Sequence, residues 1–143
     1  MTLPPLLKLS SEAAYREHFR KHYLTGTPLV TFDGIRIRFF AHNFDHAFFT
    51  ESVRGSGMKD RFDRSRAERM DWIGAVLCSS AVELYRRVMP KGSVRRISLV
   101  PVERYAAVIA VEKKLRSANF VTAYVVNSNS TLKKMRSNPK WCK

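Results

Sequence analysis

Three β-prone runs follow one another in the last third of the chain: RRISLVPV over 95–102, RYAAVIAVEK over 104–113 and ANFVTAYVV over 118–126. Only the turns Pro101–Arg104 and Lys113–Ser117 separate them. Parallel strands need a long crossover connection, so runs this close pair as an antiparallel meander. The C-terminal third is thereby committed to a sheet, and the rest of the chain must cover its apolar face.

The preceding segments supply that cover. After a proline-bearing lead-in over 1–9, Ser10 or Ser11 caps a predicted helix that runs to about Leu24. Ala14, Tyr15, Phe19 and Tyr23, with His18 and His22, recur on roughly one of its faces, and Gly26 stops it. Asp33-Gly34 lies between two β-prone runs in PLVTFDGIRIRFF, a hairpin signal. Ile35, Ile37 and Phe39 alternate there with Arg36 and Arg38, giving one apolar and one cationic strand face. SVRGSGMKDR, over 52–61, reads as a loop. Ser65 and Glu68 then have capping-box spacing before a helix with a Met70, Ile73, Leu77 stripe. A second helix is predicted from about Ala81 to Val88, ended by Pro90 and Gly92, and a short basic helix near 130–137 precedes the Pro139–Lys143 tail. Helices first and an antiparallel sheet last make an α+β fold, and 143 residues suit one globular domain.

Charge bears on function. Lys and Arg number 26 against 12 Asp and Glu, a net +14, and Glu112 is the last acidic residue. Self-repulsion destabilises a compact state, so such an excess points to a polyanionic partner, most simply a phosphate backbone. Cys78 and Cys142 are too few for a disulfide framework and fit a reducing compartment. No stretch has the length or flanks of a membrane span or secretory signal, so a cytoplasmic location is expected. No cofactor motif is present, and His18 and His22, at ligand spacing without an obvious third ligand, are not read as a metal site.

Three places could carry chemistry. His46 sits in FDHAFF, where aromatic neighbours would hold and desolvate an imidazole; a hydrogen-bonded core histidine fits the same pattern. Arg66 projects near the centre of the Met70, Ile73, Leu77 stripe and Arg69 lies at its edge. An inward arginine needs a carboxylate, a route to the surface, or a phosphate that its planar fork can grip. In ANFVTAYVV, period-two alternation places Phe120, Thr122, Tyr124 and Val126 on one face, so Thr122 and Tyr124 could both donate to a phosphate oxygen; both are also ordinary strand formers.

The ordered set FDHAFF, RAERMDWIGAVL, YAAVIAV, ANFVTAYVV, LKKMR and the late Pro-Lys-Trp resembles the phage-associated branch of the barnase–EndoU–colicin–RelE nuclease superfamily, over about residues 42–141. The resemblance implies N-terminal helices packed on a curved antiparallel sheet of about four strands. It divides the chain into a helix-and-hairpin extension, 1–41, and a nuclease core, 42–143. It implies a toxin or phage effector that cleaves RNA without a metal or cofactor. His46 would be the acid–base residue, Arg66 the phosphate ligand and Thr122 a hydroxyl in the site, with Tyr124 and Lys133 or Lys134 as looser counterparts. Arg69, Lys133, Lys134 and Arg136 would contact RNA, whether tRNA, mRNA or rRNA. An acidic immunity or antitoxin protein would neutralise it over the Arg66–Lys133 region. The rival expectations are a non-catalytic nucleic-acid binder that uses 65–78 and 81–89 as a helix-turn-helix, and a phage protein that docks on a host protein.

Overall fold

The computed structural model describes residues 1–142. Helix α1, Glu12–Phe19, starts where the Ser11 hydroxyl accepts the Ala14 N–H at 3.1 Å. Its last turn widens over Arg20–Leu24, closing with the Thr25 N–H on the Arg20 carbonyl. Strands β1, Leu29–Val30, and β2, Arg36–Arg38, flank the Asp33-Gly34 turn as the sequence predicts. Gly34 takes φ +88°, a conformation that side chains resist. Helix α2, His42–Phe48, leads into a small ribbon of β3, Phe49–Thr50, and β4, Arg61–Phe62, from which loop 51–60 projects. Then come α3, Arg64–Ala67, and α4, Met70–Cys78. Strands β5, Glu83–Val88, β6, Val94–Val100, β7, Tyr105–Val111, and β8, Ser117–Val125, precede α5, Asn129–Arg136.

The main sheet has the order β1-β2-β8-β7-β6-β5. Its antiparallel part, β5 to β8, contains the expected meander. The expectation of about four purely antiparallel strands is corrected: β2 joins β8 in parallel, β1 extends it, and the sheet is a mixed one of six strands. Ile37 lies in register with Ala118, so the hairpin prolongs the sheet's apolar inner face.

Two further expectations are corrected. The predicted helix over Ala81–Val88 is strand β5. Leu84 is buried in the inner core and Tyr85 in the cluster on the other side of the sheet. A strand buried on both faces loses the simple alternation that identifies it. The helix predicted from Ser65 is instead two helices, and its cap is Asp63, whose Oδ1 accepts the Arg66 N–H at 3.2 Å. The Leu7 N–H takes the Glu68 carbonyl at 2.7 Å, and the Trp72 N–H turns to the Arg69 carbonyl, which breaks the helix at 68–69.

The inner face, with Ala107, Ile109, Phe120 and Ala123, packs against Tyr15 and Phe19 of α1, Phe44 and Phe48 of α2, and Met70, Ile73 and Leu77 of α4. Tyr15, Phe19, Ile35 and Ile37 belong to this one core, so residues 1–41 share it with the rest of the chain. Burial of side chains this large contributes roughly 1.5–3 kcal/mol each. On the outer face, Leu132 and Met135 of α5 cover Ile97, Leu99, Ala106 and Val108. Among the described residues no helix is long and apolar enough to cross a membrane.

Arg96 on β6 is only 1% exposed. Its guanidinium donates to both carboxylate oxygens of Asp33, at 3.1 and 2.8 Å, and lies 5.2 Å from the Phe32 ring centre and 5.3 Å from that of Trp141. The hairpin turn and the C-terminal tail are thus both fastened to β6. Asp33→Asn would leave a buried cation without its counter-charge; removal of one partner of a buried pair costs about 3–5 kcal/mol. With the Asp33 side chain 28% exposed, the loss expected in urea denaturation is near the lower end, about 3 kcal/mol.

Candidate catalytic and nucleic-acid site

Strand β8 sets the geometry of the site. Thr122 pairs with Val108 and Phe120 with Ile109, so Val121 is an extra residue, a β-bulge. The bulge reverses the alternation. Phe120 stays on the inner face, while Thr122 and Tyr124 pair with Val108 and Ala106, which belong to the outer face. The expectation that Thr122 and Tyr124 share a face holds, but the expectation that Phe120 shares it is corrected by the bulge.

Strand β2 reaches only Ser117–Asn119, so the rest of β8 keeps an edge that α2 and α3 fill. Asn43, buried in α2, donates from Nδ2 to the Phe120 carbonyl at 3.3 Å and accepts the Phe40 N–H at 2.6 Å. Phe44, Ala47 and Phe48 bury the other side of α2. His46, on its exposed side, is left facing the neighbouring cations. Lys59 of loop 51–60 closes over it, donating from Nζ to the His46 carbonyl at 3.0 Å.

Arg66 enters from α3. Its Nη1 donates to the Ala47 carbonyl at 3.4 Å and its Nε lies 3.5 Å from Asp63 Oδ2. Among the described residues its guanidinium meets no other acceptor, so part of its fork is open. Burial, then Lys59, Arg95, His42 and Arg66, hold the His46 imidazole below its ordinary pKa of 6.5. Burial and Arg66 lower Lys59. Burial raises the Tyr124 phenol, with Arg87 and Arg66 opposing. Arg66 thus acts on His46, Lys59 and Tyr124 alike, while Arg95 acts on His46 and Arg87 on Tyr124.

Arg87 and Arg95 stand directly opposite each other in the β5–β6 ladder. Like charges in that position repel. Among the described residues neither makes an ion pair with a carboxylate, and the Arg95 Nε is buried without a hydrogen-bond partner. Sequence reasoning missed both, along with Lys59 and Asn43. The pairing of Arg87 with Arg95 becomes visible only once β5 is known to be a strand.

Two of the other expected RNA contacts are engaged within the chain. Arg69 donates to the Ser65 carbonyl and hydroxyl at 2.7 and 2.9 Å, with its guanidinium 5.1 Å from the Trp72 ring centre. Arg136 forms a two-pronged pair with Glu83 at 3.0 and 2.8 Å. Lys133 and Lys134 are exposed on α5. The structure therefore gathers His46, Arg66 and Tyr124, with Thr122 on the same strand face, and leaves Arg69 and Arg136 engaged within the chain. His18 and His22 lie apart from this group, with His18 Nε2 2.7 Å from Asp71 Oδ1 and the two rings 4.1 Å apart. The helix-turn-helix expectation loses its second helix to β5.

Chemically the group offers a neutral imidazole, a protonated phenol and several cations around one surface. No protein-family model, curated protein or solved structure matches the chain.

The electrostatics of His46 can be measured. Its NMR titration is expected below the ordinary 6.5. Lys59→Gln removes a cation that disfavours the imidazolium, so the midpoint should move upward. An unchanged midpoint in that variant would remove Lys59 from the groups that set it.

Proposed function

We propose that this chain is a metal-independent endoribonuclease of the barnase–EndoU–colicin–RelE kind, including the curved-sheet architecture of that superfamily. The observation that carries the reading is the uncompensated Arg87–Arg95 pair, whose Arg95 acts with Arg66 on the His46 imidazole. Repelling cations with open donors are what a bound phosphate would satisfy.

Neutral His46 takes the proton from a ribose 2′-OH. The oxygen attacks the adjacent phosphorus, the P–O5′ bond breaks, and the products are a 2′,3′-cyclic phosphate and a 5′-OH. The nucleophile is already tethered to the phosphate it attacks, which lowers the entropic barrier. Arg66, with Arg87 and Arg95, stabilises the negative charge on the non-bridging oxygens of the pentacoordinate intermediate, and Thr122 donates a hydrogen bond to one of those oxygens. Tyr124, kept protonated by burial, gives its proton to the leaving O5′. The nearby carboxylates are committed: Asp63 to Arg66, and Glu51 to the Gly55 N–H at 2.7 Å. A two-metal site needs several acidic ligands, which is why the reading is metal-independent. An acidic neutralising protein over this surface would make such an activity tolerable to its producer.

Total RNA incubated with the protein in excess chelator should yield fragments ending in 2′,3′-cyclic phosphate, while DNA of the same sequence stays intact. His46→Ala should lower the rate by about 10²–10⁴-fold. Tight binding without cleavage would instead indicate a non-catalytic binder.

The role of the arginine pair is read separately, from salt dependence. For single strands the slope of log affinity against log salt falls by about 0.7 per phosphate neutralised. The pair holds one phosphate, so Arg87→Gln with Arg95→Gln should reduce the slope for an uncleavable DNA oligomer by about 0.7. An unchanged slope would remove the pair from the interface.

A further inference from the structure

The β5–β6 hairpin presents a second cationic feature on the other side of the sheet. A cleft of about 810 Å³ lies where the β5–β6 turn, the β7–β8 turn and the C-terminal tail converge. That is within the roughly 300–1,000 Å³ range of ligand pockets. Its wall is apolar: Val94, Val111, Leu115, Pro139 and Trp141. Leu115 is 51% exposed, although Val111 below it is buried. Arg86, Lys91, Lys113 and Lys140 line the same cleft against one carboxylate, Glu112. Among the described residues none of these four cations makes an ion pair.

The wall is held firmly. The Arg86 N–H donates to the Pro139 carbonyl at 2.7 Å and the Trp141 N–H to the Leu84 carbonyl at 2.9 Å, so the tail lies along the outer edge of β5. Arg96, anchored by Asp33, stacks against the Trp141 ring. An apolar wall with an aromatic ring, edged by unopposed cations, suits a ligand that is itself part aromatic and part anion. A nucleobase with its phosphate is such a ligand.

Successive residues of a strand point to opposite faces. Arg87, opposite Arg95, therefore belongs to the catalytic face, and Arg86 to the cleft. Lys91, exposed in the turn at the hairpin's tip, stands between the two. We propose that the cleft is a second RNA subsite: the strand held at Arg87 and Arg95 passes over Lys91 and seats a further nucleotide against Trp141. The subsite rests on the reading of RNA as the substrate, but it takes no part in the bond-breaking step.

The test separates the two. 5′-AMP is titrated into the wild-type protein while the indole N–H resonances are followed by NMR. Trp72, whose indole donates to the Pro4 carbonyl at 2.7 Å, is the internal control. The Trp141 resonance should shift and that of Trp72 should not, and Lys91→Glu with Lys113→Glu should abolish the shift. The same double variant should raise KM for a long RNA about tenfold, by loss of backbone contacts, and leave cleavage of a dinucleotide unchanged. A Trp141 resonance that ignores 5′-AMP would overturn the subsite, as would a variant that impairs dinucleotide and long RNA equally. Binding of 5′-AMP that no oligonucleotide displaces would mark a free-nucleotide site and overturn the RNA path. If the wild type cleaves nothing, the catalytic reading fails alone. The 5′-AMP titration, and the affinity of DNA oligomers for the wild type and the double variant, then decide the subsite.

Discussion

Strand β8 is paired along its length with β7 on one edge, but with β2 over only Ser117–Asn119 on the other. Backbone groups on an interior edge must find partners, because water cannot reach them without breaking the packing. Asn43 satisfies the Phe120 carbonyl there and so fixes where α2 lies. His46 follows Asn43 by three residues and inherits that position. The Val121 bulge sits at the same place, where the β2 pairing has ended, and turns Thr122 and Tyr124 to the outer face. One local constraint, the half-free edge of a single strand, thus aligns contributions from α2, α3 and β8.

The β5–β6 hairpin carries four arginines in two cross-strand pairs, Arg86 with Arg96 and Arg87 with Arg95, and treats them differently. On the inner side Arg96 is paired with Asp33 and stacked against two aromatic rings, although its Nε, like that of Arg95, is buried without a hydrogen-bond partner. On the outer side the same cross-strand repulsion is left uncompensated. The neighbouring rungs of this ladder include Tyr85 opposite Ile97, so the fold does not demand charge at these positions. Repulsion retained without a structural need is the kind of local conflict that marks a binding surface.

Much of this was legible in the chain. The meander and the Asp33-Gly34 hairpin stand out because their sequence signals are local: period-two alternation and a turn that needs positive φ. Strand β5 was hidden because Leu84 and Tyr85 are buried on opposite faces. The parallel pairing of β2 with β8 was hidden because it joins residues about eighty positions apart. For the site, His46 and Arg66 stand out as polar groups in apolar patterns. Lys59 and the Arg87–Arg95 pair do not, since their meaning lies in register and loop placement. Charge alone is also a poor guide to which cations are free. Arg69 and Arg136 look as available as Lys133 in the sequence, yet Ser65 and Glu83 engage them.

The cations around His46 act on it twice under the proposed chemistry. Without substrate, burial first and then Lys59, Arg95, His42 and Arg66 disfavour the imidazolium, which favours a ring able to accept a proton. A low pKa also makes a weak base, and proton transfer is most efficient when the base is matched to the operating pH. A phosphate bound by Arg66 and Arg95 offsets their positive charge and adds a negative one beside the imidazole. Both changes raise the His46 pKa. The base is therefore weak while the site is empty and gains strength when the scissile phosphate arrives. Under that chemistry Arg66 and Arg95 would serve both to hold the phosphate and to tune the proton acceptor.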